Sequence, residues 1–173
     1  SPNMPSLDAA TLYPGTCLFE ATNLSEGRGT EEAFLLLGAP FADGEKWLSA
    51  LSDLNYKAEG ASITPTTFTP KYQKHAGHPC HGIRLTVEDR NKLQSYRLGI
   101  ALLVAAANAF PEDFQWRADP YEFIEDIPAI DLLYGSSTLW RVIAGKQSLD
   151  SLLKEMEEFE TWYCEARKPF IIY

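Results

Sequence analysis

The chain has little histidine, little cysteine, few basic residues and no long apolar run, and each shortage narrows what it can be. Its 15 lysines and arginines stand against 24 acids, for a net charge of −9. That balance argues against non-specific binding to nucleic acid or to an anionic membrane surface, though it leaves room for a local basic site. The longest apolar stretch, Leu98 to Ala107 with Gly99 inside it, is ten residues. A bilayer span needs about 20 residues, so this is a core helix and no membrane span. Cys17, Cys80 and Cys164 are an odd number. At least one is free or pairs between chains. Cys17 and Cys164 sit in apolar surroundings and read as buried thiols, and a Cys17–Cys80 disulfide is compatible with the sequence. No internal repeat, low-complexity tract or export signal is visible. Ser1-Pro2-Asn3-Met4-Pro5 reads as the interior of a longer protein, with any signal upstream.

Several motifs are missing too. No Lys-Ser/Thr pair follows the glycines of any loop, the dinucleotide spacing G-x-G-x-x-G does not occur, and neither does the G-x-S-x-G nucleophile elbow. What remains is a chain of 173 residues with 45% hydrophobic content. A chain of that size folds as one domain and buries about 70% of its unfolded surface.

Glu20-Ala-Thr-Asn-Leu-Ser-Glu-Gly-Arg-Gly-Thr30 is the densest polar stretch. Carboxylate, amide, hydroxyl and guanidinium groups fall within eleven residues. Gly27 and Gly29 free the backbone around Arg28, whose rigid fork of donors suits a carboxylate or a polyhydroxylated ligand. Two readings fit. The loop is a polar pocket at the end of a strand, or Asn23 and Ser25 make ordinary turns and Glu20 pairs with Arg28 to brace them.

Around that loop the pattern predicts an α+β fold, a mixed β-sheet flanked by helices. Residues 1–10 read as an arm entering from another domain. Thr16–Phe19 reads as a buried strand and Ala33–Leu37 as a second apolar run. Asp43 caps a helix to about residue 54. Gly60–Pro70, with Ala61, Ile63 and Phe68 alternating, reads as an extended, partly paired strand, and 82–87 as a half-exposed strand with Ile83, Leu85 and Val87 facing inward. A buried helix follows from about Lys92 to Phe110. Two short helices, 130–133 and 137–144, precede an amphipathic helix capped by Ser148. Its apolar face comprises Leu149, Leu152, Leu153, Met156, Phe159, Trp162 and Tyr163. Phe170–Tyr173 suggests a terminal strand.

The three histidines, His75, His78 and His81, cluster with Cys80. Four potential zinc ligands are present, yet Cys80 and His81 are adjacent and Pro79 stiffens the segment, so the spacing does not suit a zinc site. These histidines read instead as structural, or as hydrogen-bonding to a ligand. A glycosidase needs two carboxylates. Glu20 is the best placed, Glu26 and Asp89 less so, and no second acid shows a pairing signal. Trp47 and Trp162 read as core. Trp116 and Tyr121, in irregular sequence, are the better candidates for an exposed pair that stacks on a sugar.

Leu12-Tyr13-Pro14-Gly15-Thr16-Cys17-Leu18-Phe19-Glu20-Ala21-Thr22-Asn23-Leu24-Ser25-Glu26-Gly27-Arg28-Gly29-Thr30 resembles the signature of the DUF1343 family, the NamZ-type exo-β-N-acetylmuramidases. That pattern is close to YPG-x-C-x-FEGTN-x-S-x-GRGT. Ala21 stands where Gly is usual. Leu37-Gly38-Ala39-Pro40, Phe68-Thr69-Pro70, Lys74-His75-Ala76-Gly77, Cys80-His81-Gly82-Ile83, Val87-Glu88-Asp89, Ile130–Ser136 and Arg167–Tyr173 continue the resemblance in order.

The resemblance covers residues 11–173 and only the C-terminal part of such proteins. It implies a domain of a bacterial, exported, periplasmic or extracellular hydrolase acting in cell wall recycling. Its partners would be muramic-acid-containing peptidoglycan fragments and an N-terminal Rossmann-like domain that supplies the main catalytic acid. It calls for no metal or other cofactor. Carried onto this sequence, Glu20 is the catalytic candidate, and Thr22, Asn23, Ser25, Arg28, Thr30 and His81 are the substrate-binding candidates. The rival reading is a non-catalytic module that binds saccharide or packs on a neighbour.

Overall fold

The computed structural model describes residues 4–172. Its element order is α1 (Leu7–Thr16), β1 (Leu36–Ala39), α2 (Gly44–Asp53), β2 (Ala61–Phe68), β3 (Cys80–Val87), α3 (Ser95–Ala109), α4 (Ala129–Tyr134), α5 (Leu139–Ile143) and α6 (Leu149–Ala166), with short 3-10 turns at Cys17–Ala21 and Lys168–Phe170. This is an α+β domain. The sheet has three strands in the order β1-β3-β2. Both pairings are antiparallel, so the sheet is not mixed as the sequence suggests. Pro65 is tolerated because β2 is an edge strand.

The helix α3 is the axis of the core. From Leu98 to Ala106 every residue is buried. Trp47, on α2, is fully buried against it and donates its indole N–H to the Leu102 carbonyl at 2.9 Å. On another side α1 crosses α3 at Gly15 and Gly99, where a Cβ on either glycine would run into the other helix's backbone. Side chains there would hold the helices apart, so the two glycines permit the close crossing. From β3, Ile83 and Leu85 enter the core, as their alternation predicts.

Local capping follows the sequence closely. Asp43 accepts from the Lys46 amide and Ser148 from the Ser151 amide. Ser6 caps α1 in the same way, so residues 7–10, read as part of an arm, are helical. The expected strand at Thr16–Phe19 is instead the end of α1 and the 3-10 turn that prolongs it. A four-residue apolar run has no period long enough to separate strand from buried helix. The described part of the expected terminal strand is a 3-10 turn followed by irregular chain; Tyr173 lies outside the described residues.

The largest departure is at α6. Leu149 and Leu152 are buried, but Phe159, Trp162 and Tyr163 are exposed, Trp162 to 61%. Leu153 and Met156 still pack on the core and Glu160 pairs with Arg97 at 2.6 Å, but the rest of the apolar face goes into solvent. Cys164 is exposed for the same reason, Cys17 is partly buried, and all three thiols are free. Burial pushes the Cys17 and Cys80 thiols up to about 11. No described helix is long and apolar enough to cross a membrane.

Candidate active site

The polar loop starts where α1 tightens into its 3-10 turn, which carries Glu20 into the interior. From there the loop is tied to three distant segments. Ser25 exchanges backbone hydrogen bonds with Gly38 at 2.7 and 3.1 Å, joining the loop to the free edge of β1. Asn23 reaches residues 113–115. Its Nδ2 donates to the Asp113 carbonyl at 2.8 Å, and its Oδ1 accepts from the Gln115 amide at 3.1 Å. Lys74 donates to the Phe19 carbonyl, the Leu24 carbonyl and Glu26 Oε2, at 2.8, 2.9 and 3.0 Å.

The glycines shape the turn around Arg28. Gly27 and Gly29 have φ of 74° and 90°, a region that strains any L side chain. A Cβ on Gly29 would also strike the Tyr72 backbone. Arg28 is thereby aimed inward, with its guanidinium 5.9 Å from the centre of the Phe34 ring.

Four charged groups and a phenol then meet. Arg28 Nε donates to Glu26 Oε1 at 2.5 Å, and Arg28 Nη2 pairs with Glu20 Oε2 at 3.1 Å. The Tyr121 hydroxyl donates to the same Glu20 oxygen at 3.0 Å. The Glu26 side chain is 1% exposed, whereas those of Glu20 and Arg28 keep 10% and 20%. Glu26 is therefore the buried anchor and Glu20 the carboxylate at the opening.

The electrostatics agree. Burial alone would raise the Glu26 carboxyl, but Lys74 and Arg28 outweigh it and hold it below the usual carboxylate range. Burial pulls Lys74 down against the pull of Glu26. Burial, then the Glu20 carboxylate that it bonds, raises the Tyr121 phenol. Tyr121 therefore stays protonated and donates. Glu20 and Glu26 face Arg28 and Lys74, so the cluster balances its own charge. An incoming anion would compete with Glu20 for Arg28. An incoming hydroxyl or amide donor would meet an oriented carboxylate.

The expected substrate contacts are distributed unevenly. Thr22 is buried, donates to the Phe19 carbonyl and accepts from the Leu24 amide. Ser25 is buried and accepts from the Gly27 amide. Thr30 donates to the Gly27 carbonyl and lies beside a depression of about 580 Å³ shared with Gly29 and Tyr72. Asn23 is spent on the 113–115 strap. The structure gives these four groups partners within the protein. His81 lies on β3 with its Nδ1 3.1 Å from Thr67 Oγ1, at a separate depression of about 510 Å³. Neither depression is lined by Glu20 or Arg28.

His75 Nε2 is 2.7 Å from the Asn23 carbonyl, so that nitrogen carries the proton. Among the described residues no three His, Cys, Asp or Glu side chains are grouped to hold a metal ion. Trp116 packs edge-on against Phe114 and is half-buried. Lys74 and Tyr121, which complete the cluster, lie far from the loop in sequence. Tyr121, expected as an exposed stacking residue, is instead half-buried and bonds Glu20.

Residues 11–173 match the family model described as exo-beta-N-acetylmuramidase NamZ, C-terminal. The chain belongs to that family. It is 32% identical, over all 173 residues, to the peptidoglycan beta-N-acetylmuramidase NamZ of Bacillus subtilis (strain 168), and covers 39% of that protein. Two crystal structures of DUF1343 family proteins from Bacteroides fragilis NCTC 9343 superpose over the full chain. One has TM-score 0.77 at 18% identity, with 44% of its own chain covered. The other has TM-score 0.69 at 26% identity, with 43% covered. The chain thus spans about two-fifths of the length of these NamZ and DUF1343 relatives.

Proposed function

We propose that this NamZ C-terminal domain works in a peptidoglycan-processing glycoside hydrolase that removes N-acetylmuramic acid from wall fragments. In this reading it forms one wall of a cleft whose other wall is an N-terminal Rossmann-like domain. The named activity of the Bacillus relative supports the substrate class. The observation that carries the reading is Glu20. Its carboxylate is nearly buried, fixed by Arg28 and Tyr121, and still open at one edge.

Glu20 accepts a hydrogen bond from a hydroxyl or amide of the sugar, or acts as the second carboxylate of the pair. The main acid comes from the other domain. Glu26 does not fill that role, since both of its oxygens are engaged by cations inside the protein. A substrate drawn from the cell wall favours the periplasm or the cell exterior as its location. The inward-turned hydroxyls of Thr22 and Ser25 favour one second reading, a domain that braces the cleft and takes no part in chemistry.

Glu20→Gln in the intact protein separates the two. An acid–base role predicts a fall in kcat of about 10²-fold or more on a chromogenic muramide, with a much smaller change in KM. A drop in melting temperature with kcat near that of the wild type assigns Glu20 to the brace.

A further inference from the structure

The outer half of α6 carries a large apolar surface that the domain leaves uncovered. Phe159, Trp162 and Tyr163 are three and four residues apart, on one side of the helix. The rings of Phe159 and Trp162 are 5.5 Å apart, and those of Phe159 and Tyr163 are stacked at 6.2 Å, so the three form one ridge. Each is 51–61% exposed. Past the helix, Phe170, Ile171 and Ile172 are exposed to 82%, 45% and 91%. The ridge is held in place, since Arg97 Nη2 donates to Glu160 at 2.6 Å and ties α6 to α3. At about 200 Å² a ring, the four aromatic side chains alone offer roughly 500 Å². With Ile171 and Ile172 the surface approaches the about 800 Å² that each partner gives to a stable interface. Monomers rarely leave that much apolar surface in water.

Charge and chain length select the occupant. Within Leu149–Ala166 six carboxylates stand against one lysine, Lys154. Two copies of this helix face to face would set those acids against each other, and an anionic lipid surface would repel them. The fitting partner has an apolar centre and a neutral or basic rim. The matched family region runs to residue 173, and the solved relatives superpose over the whole chain, so the exposed segment belongs to the family's domain. Only 39–44% of each relative is covered, so more than half of its length lies outside the matched part. A partner in the same polypeptide is present at an effective concentration in the millimolar range, which lets one helix face suffice to hold it.

Helix α4 brings this surface near the site. It packs on the 3-10 turn that carries Glu20, and its Tyr134 lines a depression of about 610 Å³ with Tyr96, Leu152, Met156 and Phe159. A helix is about 10–12 Å across, so one neighbouring domain reaches both sides of α4. We infer that the aromatic ridge of α6, with Phe170–Ile172, is the surface on which the N-terminal domain of the intact protein packs. This rests on the two-domain reading above and names the contact that joins the domains.

The test is hydroxyl-radical footprinting of the intact protein, with oxidation read residue by residue by mass spectrometry. Within the domain Trp162 is 61% exposed and Trp140 39%, so an open ridge makes Trp162 the faster to oxidise. Packing of the N-terminal domain reverses that order. Trp162 should then be slower than Trp140 by about 4-fold, the ratio expected when an interface core leaves about a tenth of a residue exposed. Trp162→Ser in the intact protein should lower the melting temperature by at least about 2 °C and speed oxidation of Tyr163, and Trp162→Phe should recover most of both. Faster oxidation of Trp162 than of Trp140, or a Trp162→Ser variant that melts and oxidises like the wild type, would overturn the inference. So would a dimer in sedimentation at micromolar concentration that Trp162→Ser converts to monomer, which assigns the face to a second copy. Turnover of a chromogenic muramide by an intact protein with an open Trp162 would overturn the packing alone. Protection of Trp162 without turnover would support the packing and overturn the muramidase reading.

Discussion

Glu26→Gln tests whether the buried anion organises the site. The substitution keeps shape and one acceptor but removes the charge shared by Arg28 and Lys74, at 2.5 and 3.0 Å. Two cations then share the interior with only Glu20 to answer them. Removing one member of a fully buried ion pair costs about 3–5 kcal/mol. The Arg28 and Lys74 side chains retain 20% and 24% exposure. Water and Glu20 relieve part of the imbalance, so the lower end applies, about 3 kcal/mol. In a domain of this size that loss lowers the melting temperature by about 6–12 °C.

The pH dependence identifies the origin of the loss. Glu26 is held below its ordinary value in the folded chain. Its contribution is therefore fully present above the unfolded carboxylate value, about 4.3. It disappears as pH falls through the lower folded value. Scanning calorimetry of wild type and Glu26→Gln should show the full difference at pH 7 and a shrinking one below about pH 4. A variant that melts within 2 °C of wild type at pH 7 would refute the reasoning, taking about 2 °C as the smallest meaningful shift. So would a difference that does not change with pH.

Two further outcomes follow from the packing and from the site. Gly99→Ala should destabilise severely, by about 3 kcal/mol or more, because the new methyl meets the Gly15 backbone and helices cannot part without opening the core; a melting temperature close to wild type would mean that α1 is free to move. The 173-residue domain alone should show no muramidase turnover on a chromogenic muramide, since Glu26, which shares Arg28 with Glu20, has both oxygens engaged by cations; hydrolysis by purified domain, with contaminating enzyme excluded, would place the whole site here.

Much of the fold is legible in the chain where one residue does one local job. Asp43 and Ser148 cap helices because their side chains reach amides three residues on, a distance fixed by helix geometry. The apolar run around Leu98 means a buried helix wherever it lies. Ile83 and Leu85 alternate because β3 has one buried face. The misreadings have physical causes as well. Thr16–Phe19 is too short to show a period. The apolar face of α6 has helical spacing, but spacing says nothing about where a helix leaves the body, and Trp162 is exposed for that reason.

At the site, the sequence marks the loop and its two informative charges, Glu20 and Arg28. It does not tell which polar groups turn inward. Thr22, Asn23 and Ser25 offer the same chemistry to a ligand as to a backbone amide, and only the path of segments 74–75 and 113–121 decides between them. Lys74 and Tyr121 carry no local signal of their role.

The ties that hold the loop have a consequence for how the protein reaches its working form. Lys74 meets Phe19 across 55 positions of sequence, Asn23 meets Asp113 across 90, and Tyr121 meets Glu20 across 101. Closures of that span are the slow, entropically costly steps of folding. Short-range bonds such as Thr22 to Phe19 bend the loop early, but nothing local aims the Glu20 carboxylate. Its direction is set when two remote stretches of chain arrive, so the site matures late and as one event. A peptide of residues 17–30 would carry the chemical groups of the signature without their arrangement.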